Sequence, residues 1–178
     1  MIRMLVNLDG LDEAMRSLAA AGRETTPLMR DLGQLMREAT QDAFEEERDP
    51  VTGAKWAPLS PAYRRQRMEA GHDGKILQLS GELATSITLQ YGNGFARVGT
   101  NRPHAAAHQF GARTRAHVIR ARFKRSLRFM GSGGKPVFRR EVSHPGSVIP
   151  ARPFLGVGEA EREEMRELVA RHVKQFFV

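Results

Sequence analysis

The sequence predicts an α+β fold: an antiparallel sheet packed by a long N-terminal helix and a C-terminal helix, with a projecting basic hairpin or loop. Three observations predict it. Leu28, Leu32, Leu35, Met36, Ala39 and Ala43 recur at the spacing of one buried helical face near the N-terminus. Met165, Leu168, Val169, His172 and Phe176 repeat that pattern near the C-terminus. Between them, Gly92-Asn93-Gly94 separates two strand-like runs, which is a hairpin signal.

Taken in order, Ile2, Met4, Val6 and Leu8 fall on one side of a short N-terminal strand, which Asp9-Gly10 turns. Leu11, Met15 and Leu18 then mark a short amphipathic helix that Gly22 ends. Thr26-Pro27 reads as the N-cap and first turn of the long helix, which runs to about Glu47. Asp49-Pro50-Val51-Thr52-Gly53 breaks it, and an irregular segment follows with Trp56, Pro58 and Pro61. The only tryptophan, flanked by prolines, is expected to pin this loop onto the core. Residues 63–70 suit a helical turn or two and carry a small basic cluster. Residues 86–91, with Ile87, Leu89 and Tyr91 on one face, pair with 95–99 as a hairpin, and 101–110 is a short helix or coil. Within 112–147, Val118-Ile119 and the pairing of 127–130 with 137–142 across Gly131-Ser132-Gly133-Gly134 suggest a projecting hairpin with a glycine tip. The last helix is expected from about residue 159 to 176. Glu159, Glu161, Glu163 and Glu164 stand at its positive end, and Arg171 and Lys174 at its negative end.

At 178 residues the chain reads as one domain, 1–178, in which 112–147 is an inserted basic arm. Such a length buries about 70% of the unfolded surface and needs no staple. The absence of cysteine excludes disulfides, thiolate zinc sites and a cysteine nucleophile, and suits a reducing cytoplasm. No apolar run approaches the ~20 residues of a membrane span, and the N-terminus does not read as a signal peptide. The net charge of +8 is unevenly placed. Residues 9–49 hold eleven acids against five arginines, whereas 113–140 hold ten Lys or Arg and no acid. That asymmetry points to a polyanion or an acidic protein partner for the arm.

His104 and His108 sit four apart, the spacing of a helical metal site, with Ala105-Ala106-Ala107 between them. A helical zinc hydrolase also needs a glutamate beside the first histidine and a third ligand. Both are missing here, and His117 and His144 lie in the basic stretch. No G-x-S-x-G elbow occurs, and Gly131-Ser132-Gly133-Gly134-Lys135 lacks phosphate-loop spacing. The expectation is therefore no enzyme, no catalytic or metal residue and no cofactor.

Three stretches together resemble one family. They are FEEERDPVTGAKWAPLS at 44–60, which resembles a Pro-x-Gly-x-x-Trp-x-Pro-Leu pattern, ILQLSGELATSI at 76–87 followed by VGTN and AAAHQFG, and IPARPFLG at 149–156. In order and spacing along nearly the whole chain they resemble the phage virion morphogenesis or tail-completion proteins of Mu-like and P2-like tailed bacteriophages. Two departures stand out. His104 occupies a position where the family has an aromatic side chain, and the tryptophan loop has one extra residue between Pro50 and Gly53. The first implies that His104 is no general metal ligand and that His108-Gln109-Phe110-Gly111 is a structural corner. In it the His108 imidazole is expected to bond a backbone group, Phe110 to pack inward and Gly111 to permit the turn.

The resemblance implies a tail-terminator-like fold and a non-enzymatic virion protein. Its expected place is a homo-oligomeric, hexameric ring at the head–tail junction or the head-proximal end of the tail. Implied partners are the head connector, the tail terminator or tube proteins and the packaged DNA, with no membrane; the location is the virion, after assembly in the host cytoplasm. Arg113, Arg115, Arg120, Arg122, Lys124, Arg125, Arg128, Lys135, Arg139 and Arg140 would face DNA or a docking partner. The interface or corner would use Trp56, His108, Phe110, Gly111, Arg152, Pro153, Phe154 and Leu155. Arg152, framed by Pro150 and Pro153, either presents its guanidinium to a neighbouring carboxylate or belongs to a core-locking turn with Phe154 and Leu155 buried. The competing function is a sequence-independent nucleic-acid binder acting through the basic ribbon.

Overall fold

The computed structural model describes residues 2–3, 16, 24–72, 74–122, 125–130 and 135–174. Of the expected N-terminal strand it describes β1 (Ile2–Arg3), and of the expected helix after it only Arg16, which is helical. The Asp9-Gly10 turn, Lys124, the glycine tip 131–134 and Phe176 lie outside the described residues.

Helix α1 (Thr26–Glu46) forms where the apolar period predicts it and buries Leu28, Met29, Leu32, Met36, Ala39, Ala43 and Phe44. Its start differs from the expectation by one residue. Thr25 is the N-cap, yet its side chain does not cap the helix. Instead the Thr25 hydroxyl donates to Asn93 Oδ1 at 2.6 Å and accepts the Gly94 N–H at 2.9 Å. A buried hydroxyl thus ties the head of the helix to the hairpin turn.

After the tryptophan loop, α2 (Pro61–Glu69) begins on a proline, and the Ser60 hydroxyl accepts the Tyr63 N–H. Arg67, a member of the small basic cluster at 63–70, is buried and donates from Nη2 to the Gly74 carbonyl at 2.8 Å. Helix α3 (Glu82–Thr85) leads into β2 (Thr88–Gly92) and β3 (Phe95–Thr100). Gly92 lies opposite Phe95, so Asn93-Gly94 is a two-residue turn as the sequence predicts. β1 pairs with the far edge of β3, giving an antiparallel sheet of order β1-β3-β2. Gly33 lets α1 settle on this sheet, because a Cβ there would collide with the Leu89 methyl.

Helix α4 (Ala105–Phe110) precedes a long two-stranded ribbon. Its ladders nest: β4 (Ala112–Arg113) with β9 (Val148–Ile149), β5 (His117–Arg120) with β8 (Glu141–His144), and β6 (Leu127–Met130) with β7 (Pro136–Arg139). The expected hairpin is present, although β6 pairs with 136–139 and the rest of the expected partner stretch pairs with β5. Arg120 faces Glu141 and Leu127 faces Arg139, and between the two ladders the Ala121 N–H donates to the Arg140 carbonyl at 3.1 Å. Helix α5 (Glu159–Lys174) closes the body by packing Met165 and Val169 against the core beside α1. The architecture is α+β, and among the described residues none of 112–149 contributes to the core cluster.

Candidate functional site

The proline-framed segment 149–156 lies between α4 and the tryptophan loop, and side chains hold it there. Gly111 leaves α4 at φ 75°, and a Cβ on it would come within 3.1 Å of both Ala151 N and Ile149 O. Only glycine allows that approach without strain. The Arg152 N–H donates to the His108 carbonyl at 2.7 Å. Gln109 then acts as a surrogate strand. Its Oε1 accepts the N–H groups of Phe154 and Leu155, each at 3.0 Å, and its Nε2 donates to the Leu155 carbonyl at 2.9 Å. An amide carries the donor and acceptor that this pairing needs. Sequence reasoning missed Gln109, since one sequence does not show which glutamine faces an open backbone.

Trp56 is buried and pins its loop: the indole N–H donates to the Pro153 carbonyl at 2.7 Å. Its ring meets Phe44 edge-on at 5.8 Å, and Phe44 packs on Phe154 at 5.1 Å. Arg152 is 6% exposed. Its Nε donates to the Ala57 carbonyl at 2.8 Å and its Nη2 to the Pro58 carbonyl at 3.2 Å. Burial pulls its pKa below the ordinary arginine value. Of the two readings left open for Arg152, this geometry is the core-locking turn, with Phe154 and Leu155 buried and Pro153 half-buried. The guanidinium is satisfied by its own chain and is not presented to a neighbouring carboxylate.

Two expectations for the corner need correction. Phe110 does not pack inward; it is 72% exposed, because α4 buries Ala105 and ends at Phe110 on the opposite side. The His108 imidazole does not bond a backbone group; its Nδ1 is buried without a hydrogen-bond partner, and it is the backbone that is engaged, the N–H donating to the His104 carbonyl at 3.3 Å and the carbonyl accepting from Arg152. Burial, reinforced by His104 and Arg152, holds the His108 pKa below the usual histidine value. The rings of His104 and His108 meet edge-on at 5.8 Å, and among the described residues no three His, Asp or Glu side chains come together as a metal site would require. A cleft of about 490 Å³ runs beside the corner, lined in part by Tyr63, Leu79, His104, His108 and Val148.

The basic residues lie elsewhere. Arg113, Arg115, Arg120, Arg122, Arg125, Arg128, Lys135, Arg139 and Arg140 are all exposed along the ribbon. They do not form a single stripe. By strand alternation Arg128, opposite Phe138, and Arg139, opposite Leu127, lie on different faces of the outer ladder, and Arg120 pairs with Glu141 across the middle one at 3.2 Å. His117 and His144 stack across the same ladder at 5.2 Å.

Residues 6–174 match the profile of the phage virion morphogenesis family. The chain belongs to that family. It is 26% identical over 173 residues to the protein named putative capsid assembly protein G of Escherichia phage Mu, covering 97% of this chain and 94% of that one. Two Mu-like prophage proteins of Haemophilus influenzae are also similar. FluMu G protein 1 is 29% identical, covering 86% of this chain and 81% of its own length, and FluMu G protein 2 is 34% identical, covering 84% and 78%. No solved structure gives a significant match. The match spans the corner and the ribbon alike, and the family is one of structural proteins of phage assembly.

Proposed function

We propose that the chain is a structural virion protein that assembles as a ring at the head–tail junction or the head-proximal end of the tail and completes or joins the tail. One observation carries the reading. The body is held shut by its own contacts, whereas the ribbon 112–149 leaves it carrying cations and apolar side chains, and among the described residues it adds nothing to the core. A subunit that spends so much chain outside its own core is built to meet other molecules. The similarity to a protein named for capsid assembly supports the same reading. A hexamer is the expected ring, DNA of any sequence passes through it, and the partners are the head connector and the tail terminator or tube proteins.

Purified protein should elute as a closed oligomer by light scattering and appear as rings by negative-stain electron microscopy. Immunogold labelling should place it at one end of the tail or at the neck. A monomer at every concentration, together with particles that lack the chain, would overturn the proposal. The exposed arginines favour a second reading, a sequence-independent nucleic-acid binder. A monomer that binds DNA with a log–log salt slope near −6 or steeper, about seven or more phosphates at roughly −0.9 each, would support it.

A further inference from the structure

The ribbon carries more than charge. Phe110, Val118, Ile119, Phe129, Phe138 and Val148 are large apolar side chains left in water on it or at its root. In the inner ladder Ile119 lies opposite Val142; in the outer one Phe129 lies opposite Val137, with Leu127 two residues away on the same face. Arginines border this apolar surface: Arg139 stands opposite Leu127, and at the root of the ribbon Arg113 stands opposite Val148. A two-stranded hairpin with no layer behind it is marginal in water, and apolar surface rimmed by charge marks a protein contact. Phosphates would engage the arginines and leave the apolar side chains wet. The composition therefore favours a protein partner over DNA.

We infer that the ribbon is a clasp that lies on the solvent face of α1 in a second copy of this chain. The inference rests on the self-assembling reading above and names the contact that makes it. Charge complementarity identifies the partner. Residues 112–149 hold ten Lys or Arg and one acid, Glu141, which leaves 18 cations and 19 acids for the rest of the chain. The body therefore does not repel the arm, and its acids gather where an arm can reach them. Glu38, Asp42 and Glu45 are exposed along one side of α1, spaced four and three residues apart. No ion pair within the chain engages any of the three among the described residues. Just beyond the helix, Val51 stands 52% exposed and gives the apolar edge of the ribbon a place to settle. Arm and acidic stripe lie on different parts of one chain, so each copy offers one of each, which is the head-to-tail contact that closes a ring.

The test uses full-length protein and exploits its lack of cysteine. Phe129→Cys and Asp42→Cys variants each carry one exposed thiol. Mixed and mildly oxidised, they should form a disulfide-linked heterodimer at least tenfold more abundantly than either variant alone. Combined Glu38→Lys, Asp42→Lys and Glu45→Lys, with folding checked by circular dichroism, should weaken self-association at least tenfold by light scattering. Rings that survive the triple reversal with no cross-link would overturn the clasp while the ring stands. A wild-type chain that never self-associates would overturn both. Arg113→Ala with Arg139→Ala abolishing DNA binding but leaving self-association intact would assign the ribbon to nucleic acid and overturn the clasp.

Discussion

Arg152 and Arg120 both sit on extended chain, 32 positions apart, and their surroundings have little in common. Arg152 is 6% exposed and spends its donors on the carbonyls of Ala57 and Pro58. The Arg120 side chain is 77% exposed and meets one carboxylate, Glu141, across a ladder open to water. The first arginine stitches two loops of its own chain. The second adds little to the fold and is available to something else. The contrast extends to the regions around them: the corner is answered by Gln109, Trp56 and Phe44 from within, whereas the ribbon shows its charged and apolar side chains to solvent. A basic segment in a sequence therefore says little until it is known which of its cations have carbonyls waiting for them.

The comparison can be broken or sharpened by mutation, beginning with the largest expected change. Phe154→Ala empties a site that is 0% exposed and should cost about 3–5 kcal/mol in urea unfolding. Arg152→Met removes a buried donor from the carbonyls of Ala57 and Pro58 and should cost about 1–3 kcal/mol without affecting the charge of the ribbon. Gly111→Ala, at φ 75° and against backbone at 3.1 Å, should cost about 1–3 kcal/mol. His108 supplies a pH test. Its folded pKa lies below the ordinary 6.5 chiefly because of burial. Below pH 6.5 the unfolded chain takes up a proton that the folded chain resists. Stability should therefore be full above that pH and fall as pH drops toward the folded value. The slope from one group is at most about 1.4 kcal/mol per pH unit, and His108→Gln should flatten it in a stability–pH series. Arg120→Ala should change stability by no more than about 0.5 kcal/mol, since an exposed pair contributes little. A loss in the ribbon as large as the loss at Phe154 would erase the distinction.

Much of the architecture was legible in the sequence because hydrophobic period and turn chemistry are local. The stripe from Leu28 to Ala43 gave α1, Asn93-Gly94 gave the hairpin, and the glycine-rich tip between apolar pairs gave the ribbon. Misjudged features depend on contacts between distant parts of the chain. Thr25 looks like any residue before a helix until Asn93 arrives 68 positions later to take its hydroxyl. Arg67 resembles its exposed neighbours Arg64 and Arg65 until the carbonyl of Gly74 folds over it. Phe110 looks like a core residue, but α4 turns Ala105 to the core and leaves Phe110 exposed at its end. In the corner, the residue types announced packing around Trp56 and Phe154, while the polar partner that organises it, Gln109, carried no local signal.

The ribbon departs from the body at Ala112 and returns at Ile149, and these two residues are paired partners. The rest of the protein is therefore sealed at a single rung, like a handle joined to a tool at one collar. Changes in the length or sequence of this limb would leave the interior undisturbed.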